Sequence, residues 1–144
     1  MVDNKLRFED ALSATRASLE EGLVPGGGST LVHLSDKLHL WSAEYLSGDE
    51  FLGAQIVKRA LLVPFYTIVK NAGGNGSIII EHLQNSSFEI GYDADEYRLI
   101  DMYSVGIIDP AKVTRLALQN AVSIASMILT TECIISNKSL NAIR

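Results

Sequence analysis

Apolar side chains recur along this chain at spacings of three and four, and glycine-rich breaks separate one such stretch from the next. From Leu6 to about Glu21, Phe8, Leu12 and Leu19, with Ala11 and Thr15 filling in, mark one face of an amphipathic helix that Gly22 is placed to stop. The stretch Leu23-Val24-Pro25-Gly26-Gly27-Gly28-Ser29-Thr30 reads as a hinge, and a second helix carrying Leu31, Leu34, Leu38, Trp41 and Tyr45 starts directly behind it. Ser47 and Glu50 have capping-box spacing before a third helical pattern with Leu52, Ile56, Val57 and Leu61. Pro64 should kink or break that pattern before it resumes to about Ala72.

Gly73-Gly74-Asn75-Gly76 punctuates the chain again, and Ser77 is the expected cap of a short helix from Ile78 to about Leu83. Phe88, Ile90 and Tyr92 alternate with polar or small residues, as do Tyr97 and Leu99 after Asp93-Ala94-Asp95-Glu96, which predicts a small hairpin. Asp109 as N-cap and Pro110 at the first helical position open the longest apolar pattern, running to about Ile134. Arg115, Gln119, Asn120 and several Ser/Thr interrupt it, which favours a central core helix over a membrane span. The fold class is thus mainly α, a helical bundle with one small β-hairpin and a polar, disordered tail from Ser136 to Arg144.

Composition narrows the function classes. The 144 residues suit one compact unit, and 47% hydrophobic against 20% charged residues excludes intrinsic disorder. A net charge of −5 without any Lys/Arg stripe argues against nucleic acid as a partner. The single cysteine, Cys133, lies in an apolar run and reads as a buried, inert thiol. His33, His39 and His82 are scattered too widely to assemble zinc ligands, and neither glycine cluster has the lysine of a Walker loop. No G-x-S-x-G elbow is present.

Three features retain chemical colour. Gly26-Gly27-Gly28 before a helix is either a plain loop or a backbone surface that a flat or anionic ligand can approach closely. Asp10, early in the first helix, is favoured by the helix macrodipole and becomes a base only beside a substrate. Asp109 is explained by helix capping alone.

Those features belong to a longer series: Phe8-Glu9-Asp10-Ala11-Leu12-Ser13-Ala14-Thr15-Arg16-Ala17, Glu20 to Gly28, Asn71-Ala72-Gly73, Gly76-Ser77, Gly91-Tyr92, Gly106 to Arg115 and Thr130-Thr131-Glu132. In this order and spacing they closely resemble the group I chaperonins, the bacterial GroEL and organellar 60-kDa type, over nearly the whole chain. The resemblance implies the C-terminal part of a much longer subunit: residues 1–24 as an intermediate-domain segment with its hinge, and 25–135 as the C-terminal half of the equatorial ATP-binding domain. It implies as well that the apical domain, the phosphate-binding glycine loop and the magnesium-binding aspartate lie outside this chain.

Carried over by motif, the resemblance makes Asp10 the catalytic carboxylate that closes over the nucleotide. It sets Gly26 and Gly27 against the adenosine, gives Asp109 the ribose hydroxyls, and packs Ile107 or Ile108 on the adenine. Asp93 and Ala94 stand where the family lines the adenine pocket, although Asp93-Ala94-Asp95-Glu96 departs from the usual Asn-Ala-Ala-Thr. The cofactor implied is ATP with Mg²⁺. The partners implied are other subunits in a ring, expected to be heptameric, with unfolded clients and a co-chaperonin gripped elsewhere; no nucleic acid or membrane is implied. Location follows as bacterial cytoplasm or an organellar matrix, the latter favoured by a tail without Gly-Gly-Met repeats. The isolated chain is expected to be inactive or nearly so as an ATPase, and to self-associate to cover apolar surface. The rival reading is a non-catalytic helical interaction module on the same fold.

Overall fold

The computed structural model describes residues 2–135, with side chains from Lys5 onward; the tail from Ser136 to Arg144 lies outside the described residues. The chain order is α1 (Val2–Glu21), β1 (Leu23–Pro25), α2 (Ser29–Tyr45), α3 (Gly48–Asn71), α4 (Gly76–Gln84), β2 (Ile90–Asp93), β3 (Arg98–Asp101), α5 (Met102–Val105), β4 (Ile108–Pro110) and α6 (Ala111–Leu129). The mainly helical architecture with a small hairpin is the one the periodicity predicts. β2 and β3 pair antiparallel with Tyr92 opposite Leu99 and Asp93 opposite Arg98. Asp93 shapes the turn between them, its Oδ1 accepting from the backbone N–H of Asp95 at 2.9 Å and of Glu96 at 3.3 Å.

The core is small and sits where α2, α3, α4 and β2 meet: Val32, Phe65, Val69, Ile80, Leu83 and Tyr92. α2 reaches it through an unexpected face. Its buried residues are Ser29, Val32, His33, Ser35 and Ser42, whereas in the stripe the sequence selects Leu31 and Leu38 are half-buried and Leu34, Trp41 and Tyr45 are exposed. Ser29 is buried against Gly91 of β2, and the Ser35 and Ser42 hydroxyls donate back to the Val32 and His39 carbonyls of their own helix, which satisfies them on a buried face. At the start of α2, a Cβ on Gly28 would lie 3.2 Å from the Phe65 backbone, and Gly28 itself has φ +79°. Only glycine fits both constraints. His33 reaches the core as a packing residue, with Nε2 3.0 Å from the Ile90 carbonyl oxygen.

Several local expectations are corrected. α3 runs unbroken through Pro64; Ala60, whose carbonyl loses its partner there, and Pro64 itself are exposed, so water can replace the missing bond. Ser47 precedes α3 but makes no side-chain capping bond. Asn75, not Ser77, caps α4, its side chain accepting from the Ser77 N–H at 3.2 Å. α6 ends at Leu129 and none of its residues is buried, so within these residues it is an outer helix, not a central one. Cys133 lies beyond its end and is exposed. The segment read as a hinge contains a strand: β1 pairs antiparallel with β4 across 85 residues of sequence, Val24 opposite Asp109.

Candidate functional site

The β1–β4 ladder delivers two loops to one place. Pro25 pairs with Ile108, and one step further the Gly26 N–H donates to the Ile107 carbonyl at 2.9 Å. A Cβ on Gly26 would stand 3.0 Å from that same oxygen, so no other residue fits without moving the strand. Gly27 and Gly28 follow with φ +62° and +79°, turning the chain sharply into α2. The turn is closed by Ser29 N–H to Gly26 O at 3.1 Å and by the Thr30 hydroxyl donating to Pro25 O at 2.8 Å.

The hairpin and α5 wall the same turn. A Cβ on Gly27 would be 3.5 Å from the Met102 methyl and 3.8 Å from the Tyr92 carbonyl oxygen. Gly91 is buried against Ser29 and Met102 with no room for any side chain. Met102 is itself fixed at both ends of its peptide, its N–H donating to Glu89 O and its carbonyl accepting from Ile107 N–H, each at 3.0 Å. Ala94 packs on the edge of the core just beyond Tyr92. Gly26, Gly27, Ile107 and the Tyr92 end of the hairpin therefore converge, with Asp109 one strand position from Ile108, Asp93 next to Tyr92 and Ala94 just beyond.

Asp109 is not the N-cap of α6. That position belongs to Pro110, with no side-chain cap bond, and Asp109 is held in β4 instead. Surrounding protein removes enough water to push its carboxyl above the ordinary aspartate value, even though part of the residue meets solvent. A carboxylate left without a capping bond and partly desolvated gains by accepting from a ligand's hydroxyls.

Asp10 stands apart. It is exposed on α1, eleven residues before Glu21, or roughly 16 Å along the helix. What α1 does share with the site is its anchorage. Lys112 on α6 pairs with Glu20, and Arg115 pairs with Glu21 through Nε to Oε2 at 2.9 Å and Nη2 to Oε1 at 2.6 Å. Arg115 and then Lys112 hold the Glu21 carboxyl below its ordinary value, its own hydrogen bond from Arg115 being the largest cause. Ala111 N–H donates to Gly22 O at 3.0 Å at the same junction.

The sequence profile of the TCP-1/cpn60 chaperonin family matches residues 1–139. The chain belongs to that family. Among curated chaperonins it is 61% identical over 138 residues to the chloroplastic chaperonin GroEL of Gracilaria tenuistipitata var. liui and 59% over 138 residues to that of Cyanidium caldarium. It is 55% identical over 139 residues to chaperonin GroEL 3 of Acaryochloris marina. In all three the match takes in 96% of this chain and 26% of the relative, so the chain spans about a quarter of the length of these chaperonins. The GroEL relatives place it with the group I chaperonins, as the motifs imply. Among solved structures, a group III chaperonin in the open state superposes with TM-score 0.75 at 33% identity, covering 83% of this chain and 25% of that one. An open-state monomer of a group II chaperonin from Methanococcoides burtonii gives 0.71 at 27%, covering 76% and 28%.

Within this chaperonin chain, residue-by-residue reading missed the Glu20–Lys112 and Glu21–Arg115 pairs and the wall formed by Met102. A signal for the former was present: two glutamates close the first helix and two cations open the last, each against its own helix dipole. Nothing in the sequence singles out Met102. Among the described residues, no cluster of His, Cys, Asp or Glu is arranged to hold a metal ion.

Proposed function

We propose that these residues supply the adenosine side of an ATP site in a ring chaperonin that assists the folding of other proteins. The observation that carries the reading is the convergence of the Gly26-Gly27 backbone, Ile107 and Asp109 on one junction, with Tyr92 to Ala94 beside it and no space for a Cβ at Gly26. Such a bare backbone suits the flat face of a nucleoside, Ile107 offers an apolar contact for a base, and Asp109 offers acceptors for the two ribose hydroxyls. Asp93 keeps one carboxylate oxygen outside its turn as an acceptor for an exocyclic amine. Phosphates and Mg²⁺ need cations and ligands that this cluster lacks; in the full site ATP supplies the transferable phosphoryl group, and the residues here bind and orient its nucleoside.

Asp10 is the proposed catalytic carboxylate, orienting the attacking water when α1 swings about the Gly22-to-Gly28 junction. The coarse boundaries follow: residues 1–24 as the moving segment, 25–135 as part of the nucleotide-binding body. Partners in this reading are further subunits of a ring, with clients and co-chaperonin engaged outside these residues. The chloroplastic relatives favour a plastid location over bacterial cytoplasm.

The test is turnover in a full-length chaperonin carrying these residues. Asp10→Ala should keep ATP binding and nearly abolish hydrolysis, whereas lost binding with unchanged turnover per bound ATP would refute the role. A non-catalytic interaction module is the second reading, favoured by the acidic Asp93-Ala94-Asp95-Glu96 row; unaltered calorimetric heats when that chaperonin is titrated with ATP would establish it.

A further inference from the structure

The β1–β4 ladder has an outer edge as well as a paired one. Its bonds join Gly22 with Ala111 and Gly26 with Ile107, so antiparallel alternation makes Val24 and Asp109 the bonded pair between them and turns the carbonyls of Leu23 and Pro25 away from β4. Pro110 stands opposite Leu23, where the ladder needs no N–H from it. Each outward carbonyl takes a side-chain hydroxyl instead. Thr30 donates to Pro25 O at 2.8 Å, and Tyr103, 80 residues further along the chain, donates to Leu23 O at 3.3 Å.

Tyr103 belongs to α5, a single turn stitched at both ends. Asp101 caps it, its Oδ1 accepting from the N–H of Tyr103 at 2.9 Å and of Ser104 at 3.3 Å, while Ser104 Oγ donates back to Asp101 O at 2.7 Å. Gly106 closes the turn with φ +76°. The neighbour of Tyr103 in this turn is Met102, the fully buried wall beside Gly27 and Gly91. Leu23, at the other end of the Tyr103 bond, directly follows Gly22, which has φ +82° and no atom within 4 Å of where a Cβ would stand. One short turn therefore touches the glycine turn through Met102 and the joint at the end of α1 through Tyr103. A displacement of Met102 is passed to Leu23 because α5 is too short and too closely bonded to absorb it.

We propose that Tyr103 is a positioning residue whose hydroxyl, held on the Leu23 carbonyl, makes the α1 joint respond to a nucleoside seated against Gly27 and Met102. The proposal rests on the nucleotide reading above. Hydrogen exchange with and without a non-hydrolysable ATP analogue, together with steady-state turnover, tests it in a full-length chaperonin carrying these residues. In the wild type the analogue should slow exchange at Gly26 and Gly27 and change it from Ser18 to Val24. Tyr103→Phe removes one oxygen from an exposed side chain, so the fold should hold. That variant should keep the protection at Gly26 and Gly27 and a KM within about twofold, cut the response from Ser18 to Val24 at least about threefold, and lower kcat in similar proportion. Tyr45→Phe, at an exposed tyrosine on α2, should change none of these. An undiminished response from Ser18 to Val24 in Tyr103→Phe would overturn the coupling while leaving the nucleotide reading intact, and so would a raised KM with kcat untouched. Absence of protection at Gly26 and Gly27 in the wild type would overturn the nucleotide reading itself, and the coupling with it.

Discussion

Arg115 on α6 clasps the Glu21 carboxylate on α1 through two hydrogen bonds, of 2.9 and 2.6 Å, joining residues 94 apart in sequence. Each charge stands at the unfavourable end of its own helix, Glu21 in the last turn of α1 and Arg115 near the start of α6. Their placement makes sense only between helices. Arg115→Ala should therefore release the end of α1: amide exchange from Thr15 to Gly22 should quicken while α3 is unaffected. Glu21 has its pKa lowered, so the contribution of this clasp is complete above its ordinary value of 4.5 and is lost as pH falls through the lower folded value. Exchange in α1 should accelerate in that acid window in the wild type and show no such step in Arg115→Ala. Equal rates in the two proteins at neutral pH would mean that the clasp does not hold α1.

Asp109 titrates in the opposite sense. Burial raises its pKa above 3.8, so the folded state prefers the neutral acid, and stability falls as pH rises from 3.8 through the folded value. Asp109→Asn should thus melt at a higher temperature than wild type at pH 7 and at the same temperature near pH 3. Nucleoside binding should weaken in the same variant. That combination marks a residue kept for a ligand at some cost to the fold.

Gly26 and Gly53 separate space from conformation. Gly26→Ala forces a Cβ to 3.0 Å from Ile107 O and should destabilise the chain by about 1–3 kcal/mol, with loss of the β1–β4 pairing. Gly53 lies in the interior of α3 with nothing within 4 Å of the position a methyl group would take, and Gly53→Ala should stabilise by about 0.5–1 kcal/mol. Chemical denaturation measures both, and a neutral Gly26→Ala would show that the two loops are not in contact.

Helices and the hairpin were legible because each is a local pattern: 3.6-residue periodicity for the helices, alternation around an Asx turn for β2 and β3. What the pattern misjudged was which face packs. α2 turns Ser29, Ser35 and Ser42 inward and Trp41 outward; Ser29 is small enough to lie against Gly91 and the other two hydroxyls are satisfied by their own helix, none of which single-helix hydrophobic periodicity can register. The same limit hid the β1–β4 pairing, whose strands are three residues long and far apart in sequence. Asp109 passed for an N-cap because Asp-Pro is the usual signature of one, and only the strand pairing shows that its carboxylate is uncommitted to α6. Gly26, Gly27, Ile107 and Asp109 were named through motif resemblance, and the β1–β4 ladder brings them together; Asp10 was named on the same ground and lies away from them.

Adenosine titration of the 144-residue chain, followed by backbone amide shifts, tests the central claim most directly. Saturable shifts confined to Gly26, Gly27, Tyr92 to Ala94 and Ile107 to Asp109, abolished in Asp109→Ala with the fold intact, are the predicted result. Shifts absent at every concentration, or located instead on α2 and α3, would contradict it.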